Sequence, residues 1–292
     1  MGTYAVTGSA SGMGRQAAEK LRGSGHRVIG VDIHDAEVVA DLSTVEGRRT
    51  AADAVLAVSG GRLDGAILAA GLGPAPGADR PRMILEVNYF GVVDLLQAWR
   101  GALVCARGKA VVIGSNATTT TPLVPSRAVR ALLNRESGKA LKAVGRYGRV
   151  APAMAYGASK IAVSRWVREN AVKAEWAGAG VRLNVLAPGA VLTPLLERQL
   201  STPSEAKAIK AFPVPVGGYG DPAHLADWMV FMLSDAAEFL CGSVIFVDGG
   251  SDAHFNHRMW PKGVSALRLP RYLIRMRRFR APNQRSIAAE EG

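Results

Sequence analysis

Seven short apolar runs recur along the chain, and alanine-rich amphipathic stretches separate most of them. The runs are TYAVT (3–7), RVIGVD (27–32), EVVADL (37–42), GAILAA (65–70), AVVIGS (110–115), RLNVLA (182–187) and VIFVD (244–248). Helical patterns are predicted between them over 12–22, 45–58, 81–105, 156–177 and 222–233. Strands that are apolar almost throughout, rather than alternating, are buried on both faces and need helices above and below. The expected fold is therefore α/β, a doubly wound Rossmann-type parallel sheet of about seven strands with helices on both faces. Such a sheet binds its ligands beyond the carboxyl ends of the strands, where strand order reverses. Functional residues should follow strand ends.

The chain has 292 residues, 48% of them apolar, enough for one large core. Nothing marks a boundary in the first 250 residues, so one domain is expected over 1–253, followed by an extension over 254–292. No apolar stretch approaches the roughly 18 residues of a spanning helix, and no charged-then-apolar leader precedes the first strand. The reading is a cytoplasmic protein. Its two cysteines, Cys105 and Cys241, are too few for a disulfide framework, lie in no metal-like spacing, and are each expected to be buried packing; no metal is expected.

Charge is informative once located. The net +12 sits in two segments. Residues 116–152 hold seven bases and one acid, and residues 254–292 hold nine bases and two acids, which leaves −1 for everything else. A near-neutral body carries two basic attachments.

In TGSASGMGR, directly after the first strand, Gly8, Gly12 and Gly14 precede or open a helix, with Ser11 and Met13 between them. Glycines at a helix start let a pyrophosphate approach unpaired N–H groups and the positive end of the helix dipole. The spacing is neither G-x-G-x-x-G nor a phosphate loop ending in Gly-Lys-Ser/Thr, and alone it also fits a tight turn. Asp32 closes the second strand. A carboxylate there can accept both ribose hydroxyls of an adenosine and repels a 2′-phosphate, favouring NAD over NADP; an ordinary loop-opening Asp is the alternative. Asp41 and Leu42 end the third strand, where they could flank the adenine. Ile33, beside Asp32, Ala70, closing the fourth run, and Gly71 just after it complete the expected cofactor contacts on that edge.

Tyr156 and Lys160 lie four residues apart, about 40° and 6 Å on a helix, and share a face. A phenol of pKa about 10 is a weak base at neutral pH. An ammonium beside it, with a cationic nicotinamide nearby, stabilises the phenolate and lowers that value. Tyr-x-x-x-Lys alone usually means an exposed face, yet Tyr156 is the only one of six tyrosines so placed. Ser115 ends the fifth strand, where its hydroxyl could donate to a substrate oxygen; a turn serine is the alternative. Asn88 falls inside a predicted helix, where Asn is unfavourable without a task, and could hold a water bonded to the lysine.

Thr7-Gly8-x-x-x-Gly12-x-Gly14, Asn88, Ser115, Tyr156-x-x-x-Lys160, Pro188-Gly189 and VDGG (247–250) resemble, in order and spacing, the classical short-chain dehydrogenase/reductase family over residues 3 to about 250. The resemblance implies Tyr156 as general acid/base, Ser115 as carbonyl orienter, Lys160 as phenol activator and ribose ligand, and Asn88 as anchor of a proton-relay water. It also implies that Pro188, Val191 and Thr193 hold the nicotinamide end. One departure is visible: Leu68-Ala69-Ala70-Gly71 stands where the family usually has Asn-Asn-Ala-Gly. Within the family, GHRVIGVDIHDAEVVADLSTVEGR, AAGLGP, VNYFG, AGVRLNVLAPGAVLTPLL and VDGGSDA are similar to the bacterial 3α-hydroxysteroid dehydrogenase/carbonyl reductase group. Ser115 and Tyr156 are 41 residues apart, and that group carries such an insertion. It implies a homodimer that does not use the usual helix-bundle interface.

In the insertion (116–152), Ala128, Val129, Leu132 and Leu133 form an apolar stripe against Arg127, Arg130 and Asn134, and Ala140, Leu141 and Val144 repeat it against Lys139, Lys142 and Arg146. One helix or a broken pair lying on the body is expected, its bases either a solvated face or a lure for anionic substrates. Residues 193–218 correspond to the family's substrate lid. In the tail, Leu269, Leu273, Met276 and Phe279 make an apolar stripe and Arg268, Arg271, Arg275 and Arg278 a basic one. This helix could pack on the body or a partner subunit, lie on an anionic membrane through 268–280, or, as the least favoured reading, touch nucleic acid. The resulting expectation is NAD-dependent interconversion of a secondary alcohol and a ketone, with a small hydrophobic, steroid-class substrate. Dehydrogenation of terpenoid or other cyclic alcohols is the alternative. A non-catalytic dinucleotide sensor docked by its tail fits less well, because a sensor needs no proton relay.

Overall fold

The computed structural model describes residues 1–259 and 264–278. Seven strands form one parallel sheet: β1 (Thr3–Thr7), β2 (Arg27–Asp32), β3 (Val38–Val39), β4 (Gly65–Leu68), β5 (Lys109–Ile113), β6 (Arg182–Pro188) and β7 (Val244–Val247), in the spatial order β3-β2-β1-β4-β5-β6-β7. Order reverses between β1 and β4, and that switch point places the ligand crevice at their carboxyl ends. The register is regular, with Thr7 beside Val31 on one side and Leu68 on the other.

The helices are α1 (Gly12–Gly23), α2 (Val45–Ser59), α3 (Arg80–Leu85), α4 (Gly91–Ala106), α5 (Ala117–Thr120), α6 (Ser126–Leu133), α7 (Ser137–Gly145), α8 (Ala151–Asn170), α9 (Pro194–Leu200), α10 (Pro203–Ala211), α11 (Pro222–Leu233), α12 (Ser251–Asn256) and α13 (Leu269–Arg278). They cover the sheet as its apolar strands require. On one face, Ala17, Ala18 and Leu21 of α1 meet Leu225, Ala226 and Met229 of α11 over Val6, Ile67 and Val111. On the other, α2, α4 and α8 bury Val55, Leu95, Trp99 and Val163 against Ile29, Leu68 and Val112. Among the described residues, no helix is long and apolar enough to cross a membrane.

Four sequence expectations shift. The third strand shrinks to Val38–Val39; Glu37, exposed and paired with Arg22, bends back along β2, where its carboxylate accepts from Gly30 N–H at 2.9 Å. The helix expected over 81–105 is three pieces, α3, a π-helical turn (Glu86–Phe90) and α4. The helix expected over 156–177 runs instead from Ala151 to Asn170: Pro152 suits its first turn, and past Asn170 the chain folds back to bury Trp176 against Trp166, ring centroids 6.0 Å apart. Cys105 is exposed on the last turn of α4, and Cys241, half-buried, donates to the Ala171 carbonyl, so neither is the fully buried packing residue expected.

The insertion is a broken pair, α6 and α7. Ala128, Val129 and Leu132 with Ala140 and Val144 are buried against the body, where the pair packs on α8 and α3. Arg127, Arg130, Lys139, Lys142 and Arg146 line a hollow of about 300 Å³ between the two helices.

Candidate active site

The glycine loop is built for close approach. Gly8 has φ +71°, and a Cβ on it would meet the Ala70 nitrogen at 2.7 Å, because β1 and β4 leave the sheet side by side. Gly12 has φ +53°, and a Cβ on Gly14 would collide with the Gly8 carbonyl. Helix α1 has no side-chain cap and no acid in its first turn, which leaves its N-terminal N–H groups to an anion. Asp32 stitches this loop to the end of β2: its carboxylate accepts from Ala10 N–H at 2.9 Å and from Ile33 N–H at 2.7 Å. Asp41 accepts from Ser43 N–H at 2.8 Å, an Asx turn that leads into the Thr44 cap of α2.

A cleft of about 360 Å³ opens along these strand ends. Gly8, Ser11, Gly12, Met13, Gly14, Asp32, Ile33, Asp41, Leu42, Ala70, Gly71 and Thr193, all singled out from sequence, line it together. Pro188 and Val191 do not. Val191 is buried in the core, bridged to Gly220, and Pro188 ends β6, where its carbonyl accepts from Asn116 N–H at 2.9 Å. The cleft has walls that sequence reasoning missed: Met83 and Val87 from α3 and the π-turn, and Pro194, Leu195 and Arg198 from α9. Val87 directly precedes Asn88, and its place in EVNYF was the available signal. Pro194 and Arg198 share a face of α9 at a spacing of four, and Pro194 borders Gly12. The glycine cradle, the uncapped helix and the ribose-side carboxylate fit a dinucleotide.

Beside this cleft, Tyr156 and Lys160 sit on α8 as their spacing requires, with the Lys160 ammonium 5.9 Å from the Tyr156 ring centroid. Lys160 is 5% exposed and donates to the Ile113 carbonyl at 2.7 Å. Burial pulls its pKa down to about 8. Sequence reasoning had the ammonium lowering the phenol. In the chain by itself the net direction is opposite: burial pushes Tyr156 above its ordinary 10.0, and a hydrogen bond with Ser115 offsets part of that rise. Ser115 stands two residues past the end of β5 in a segment that keeps the sheet's pairing, since Gly114 N–H donates to Leu186 and Asn116 N–H to Pro188. Its Oγ accepts from Ala117 N–H at 3.1 Å.

Asn88 lies in the π-turn, fully buried. Its Oδ1 accepts from Leu72 N–H at 2.8 Å, and its Nδ2 donates to the Leu72 carbonyl at 2.9 Å and to Ser159 Oγ at 3.4 Å. Both amide donors are used, so the side chain can offer a water only the second lone pair of Oδ1. A Cβ on Gly71 would meet Asn88 Oδ1 at 3.4 Å and Lys160 Nζ at 3.8 Å, so one glycine separates the two groups. The loop that departs from the family pattern is held by Thr7: Ala70 N–H donates to Thr7 Oγ1 at 3.1 Å. Downstream, Asp248 accepts from Gly250 and Asp252 N–H groups and packs beneath Gly189, which explains VDGG as a buttress for the Pro188 turn.

A switch-point crevice, a glycine cradle and a Tyr-Lys pair at its edge, the lysine buried and the tyrosine partly so, define a dinucleotide-dependent α/β oxidoreductase site. Comparison with known proteins agrees. Residues 120–252 match the family model described as enoyl-(acyl carrier protein) reductase. Over 254 residues the chain is 39% identical to 3-alpha-hydroxysteroid dehydrogenase/carbonyl reductase of Comamonas testosteroni, covering 87% of this chain and 97% of that one. It is 30% identical to galactitol 2-dehydrogenase (L-tagatose-forming) of Cereibacter sphaeroides, covering 84% and 93%. Among solved structures, the 3-alpha-hydroxysteroid dehydrogenase from Pseudomonas sp. B-0831 complexed with NADH superposes with a TM-score of 0.82 at 41% identity, over 88% of this chain and 99% of that one. The chain belongs to the short-chain dehydrogenase/reductase family, and it is an oxidoreductase.

Proposed function

We propose that the protein interconverts a secondary alcohol and a ketone with NAD, on a hydrophobic substrate of the steroid class. The observation that carries the reaction type is the grouping of Tyr156, Lys160 and Ser115 at the edge of the dinucleotide cleft. The steroid class is supported by the identities above, and the preference for NAD by Asp32, whose carboxylate lines the cleft where a 2′-phosphate would meet it.

In oxidation, Tyr156 as phenolate takes the hydroxyl proton while the carbinol hydrogen leaves as hydride; in reduction Tyr156 returns that proton to the new alkoxide. A nicotinamide dinucleotide, when bound, supplies the hydride acceptor or donor and a positive ring in its oxidised form. Ser115 donates to the substrate oxygen and steadies charge as it develops. Lys160, fixed by Ile113, presents its remaining N–H groups toward Tyr156 and the ribose side. Asn88 anchors relay water through the free lone pair of Oδ1. Gly8, Ser11, Gly12, Met13 and Gly14 hold the pyrophosphate, Asp32 and Ile33 the ribose, and Asp41 and Leu42 the adenine. Ala70, Gly71 and Thr193 hold the nicotinamide half, while Pro188 and Val191, outside the cleft lining, support the Thr193 loop from behind. Residues 1–253 act as one catalytic domain, with 193–218 folding over substrate.

We read the functional form as a homodimer. The insertion occupies part of α8 and α3, whereas Trp228 and Phe231 on α11 stay 41% and 46% exposed beside the edge strand β7. The direct test of the whole reading is NAD reduction at alkaline pH across a panel of steroid and terpenoid alcohols, with NADP in parallel. Turnover led by 3-hydroxysteroids with NAD is expected; turnover of only terpenoid alcohols, or only with NADP, overturns the substrate or the cofactor assignment respectively.

A further inference from the structure

Helix α13 stands apart from the body. Every described residue from 264 to 277 is exposed, including Leu269 at 47%, Tyr272 at 48% and Met276 at 57%. At 100° per residue, Tyr272, Met276, Leu269 and Leu273 fall within a sector of about 100°. Arg277 flanks that sector on one side and Arg275 on the other, with Arg271 and the exposed Ile274 behind. From Ala253 to Ala289 the sequence contains no acidic residue. An apolar stripe bordered on both sides by arginines, on a helix with no carboxylate to pair them, complements a surface that is negative at its face and apolar just beneath. We propose that α13 is an in-plane anchor that docks the enzyme on an anionic lipid surface.

Competing occupants fit less of this pattern. A nucleic acid would satisfy the arginines and leave Leu269, Leu273 and Met276 in water. A second copy of the helix would bury the stripe and bring Arg275 and Arg277 of both copies to one rim. Headgroups meet the arginines while acyl chains take the stripe, and long arginine side chains can reach upward from an apolar bed. The proposal is independent of which alcohol the active site takes.

The test is co-sedimentation of the full-length protein with phosphatidylcholine vesicles, alone or with about 30 mol% phosphatidylglycerol. Pelleting only with the anionic vesicles, weakening as salt rises, is expected. Replacing Arg271, Arg275 and Arg277 by Gln together should reduce partitioning on the order of a hundredfold, since each base near such a surface is worth about fivefold. Leu273→Glu with Met276→Glu should abolish it. NADH binding should be unchanged in both variants, showing that the body is folded. Protein that stays in the supernatant at every composition, or pellets equally after Leu273→Glu/Met276→Glu, overturns the proposal. So does a loss of dimer mass in those variants without vesicle binding by the parent, or binding to duplex DNA but not to vesicles.

Discussion

Asn88 clasps Leu72 with two hydrogen bonds, accepting from its N–H at 2.8 Å and donating to its carbonyl at 2.9 Å. The clasp fixes the loop after β4 to the π-turn, and Leu72 lines the dinucleotide cleft. Asn88→Ala leaves two partly buried backbone groups of Leu72 unpaired, at a cost of about 1 kcal/mol for each, the low end of the range for buried groups. Urea denaturation should show that loss, and KM for NAD should rise with it. Unchanged stability would mean that Leu72 finds other partners.

Arg48 should matter out of proportion to its distance from the chemistry. It is 5% exposed and donates to Glu86 at 3.0 Å, Asp94 at 2.8 Å and the Leu42 carbonyl at 3.1 Å, which ties the adenine side of the cleft to α4. Arg48→Met strands the partly buried Glu86 carboxylate and leaves Asp94 with Arg135 alone, and about 3–5 kcal/mol of stability should be lost. Chemical denaturation checks the magnitude; a loss below about 1 kcal/mol would place this pair among ordinary surface bridges.

Lys160 links stability to pH. Its pKa falls from the ordinary 10.5 to about 8 on burial, so between these values the unfolded chain holds a proton that the folded chain lacks. Stability from this group therefore rises with pH across that window and is lost as pH falls through about 8. The stability advantage of Lys160→Met over the parent should shrink as pH rises from 8 toward 10.5, which melting of both proteins across pH measures. A constant difference contradicts a depressed lysine.

Asp32 and Arg198 bring opposite charges to the lining of the cofactor cleft. Asp32→Ala should narrow the preference for NAD over NADP by at least about tenfold, or 1.4 kcal/mol. Arg198→Gln should weaken ADP-ribose by about the same factor and leave adenosine unaffected, because only the former carries a pyrophosphate. Calorimetric titration separates the two effects.

The sheet and the glycine loop were legible because they depend on local pattern: apolar runs of strand length, and glycines where any side chain strikes Ala70 or Gly8. The grouping of Tyr156 with Lys160 followed from helical periodicity alone. What escaped sequence reasoning depends on tertiary packing. Nothing local announces the π-turn around Asn88, whose side chain is paired with Leu72 from the loop after β4. The extra turn of α8 before Tyr156 follows from the insertion returning over it, where Val124 lies 2.7 Å from a Cβ placed on Gly157. Arg198 and Leu195 became cleft residues only once α9 folded back, bringing Leu195 against Gly73. The net direction of the Tyr156 shift was likewise out of reach, since it is set by burial rather than by its neighbour in sequence.

The central claim is that Tyr156 moves the proton. The most direct measurement is NADH formation from a 3-hydroxysteroid by Tyr156→Phe, alongside NADH binding by the same variant. Turnover should fall about 10²–10⁴-fold, as for loss of a general acid/base, with the dissociation constant for NADH within about threefold of the parent, or 0.7 kcal/mol. Turnover that survives the substitution undiminished would contradict the account.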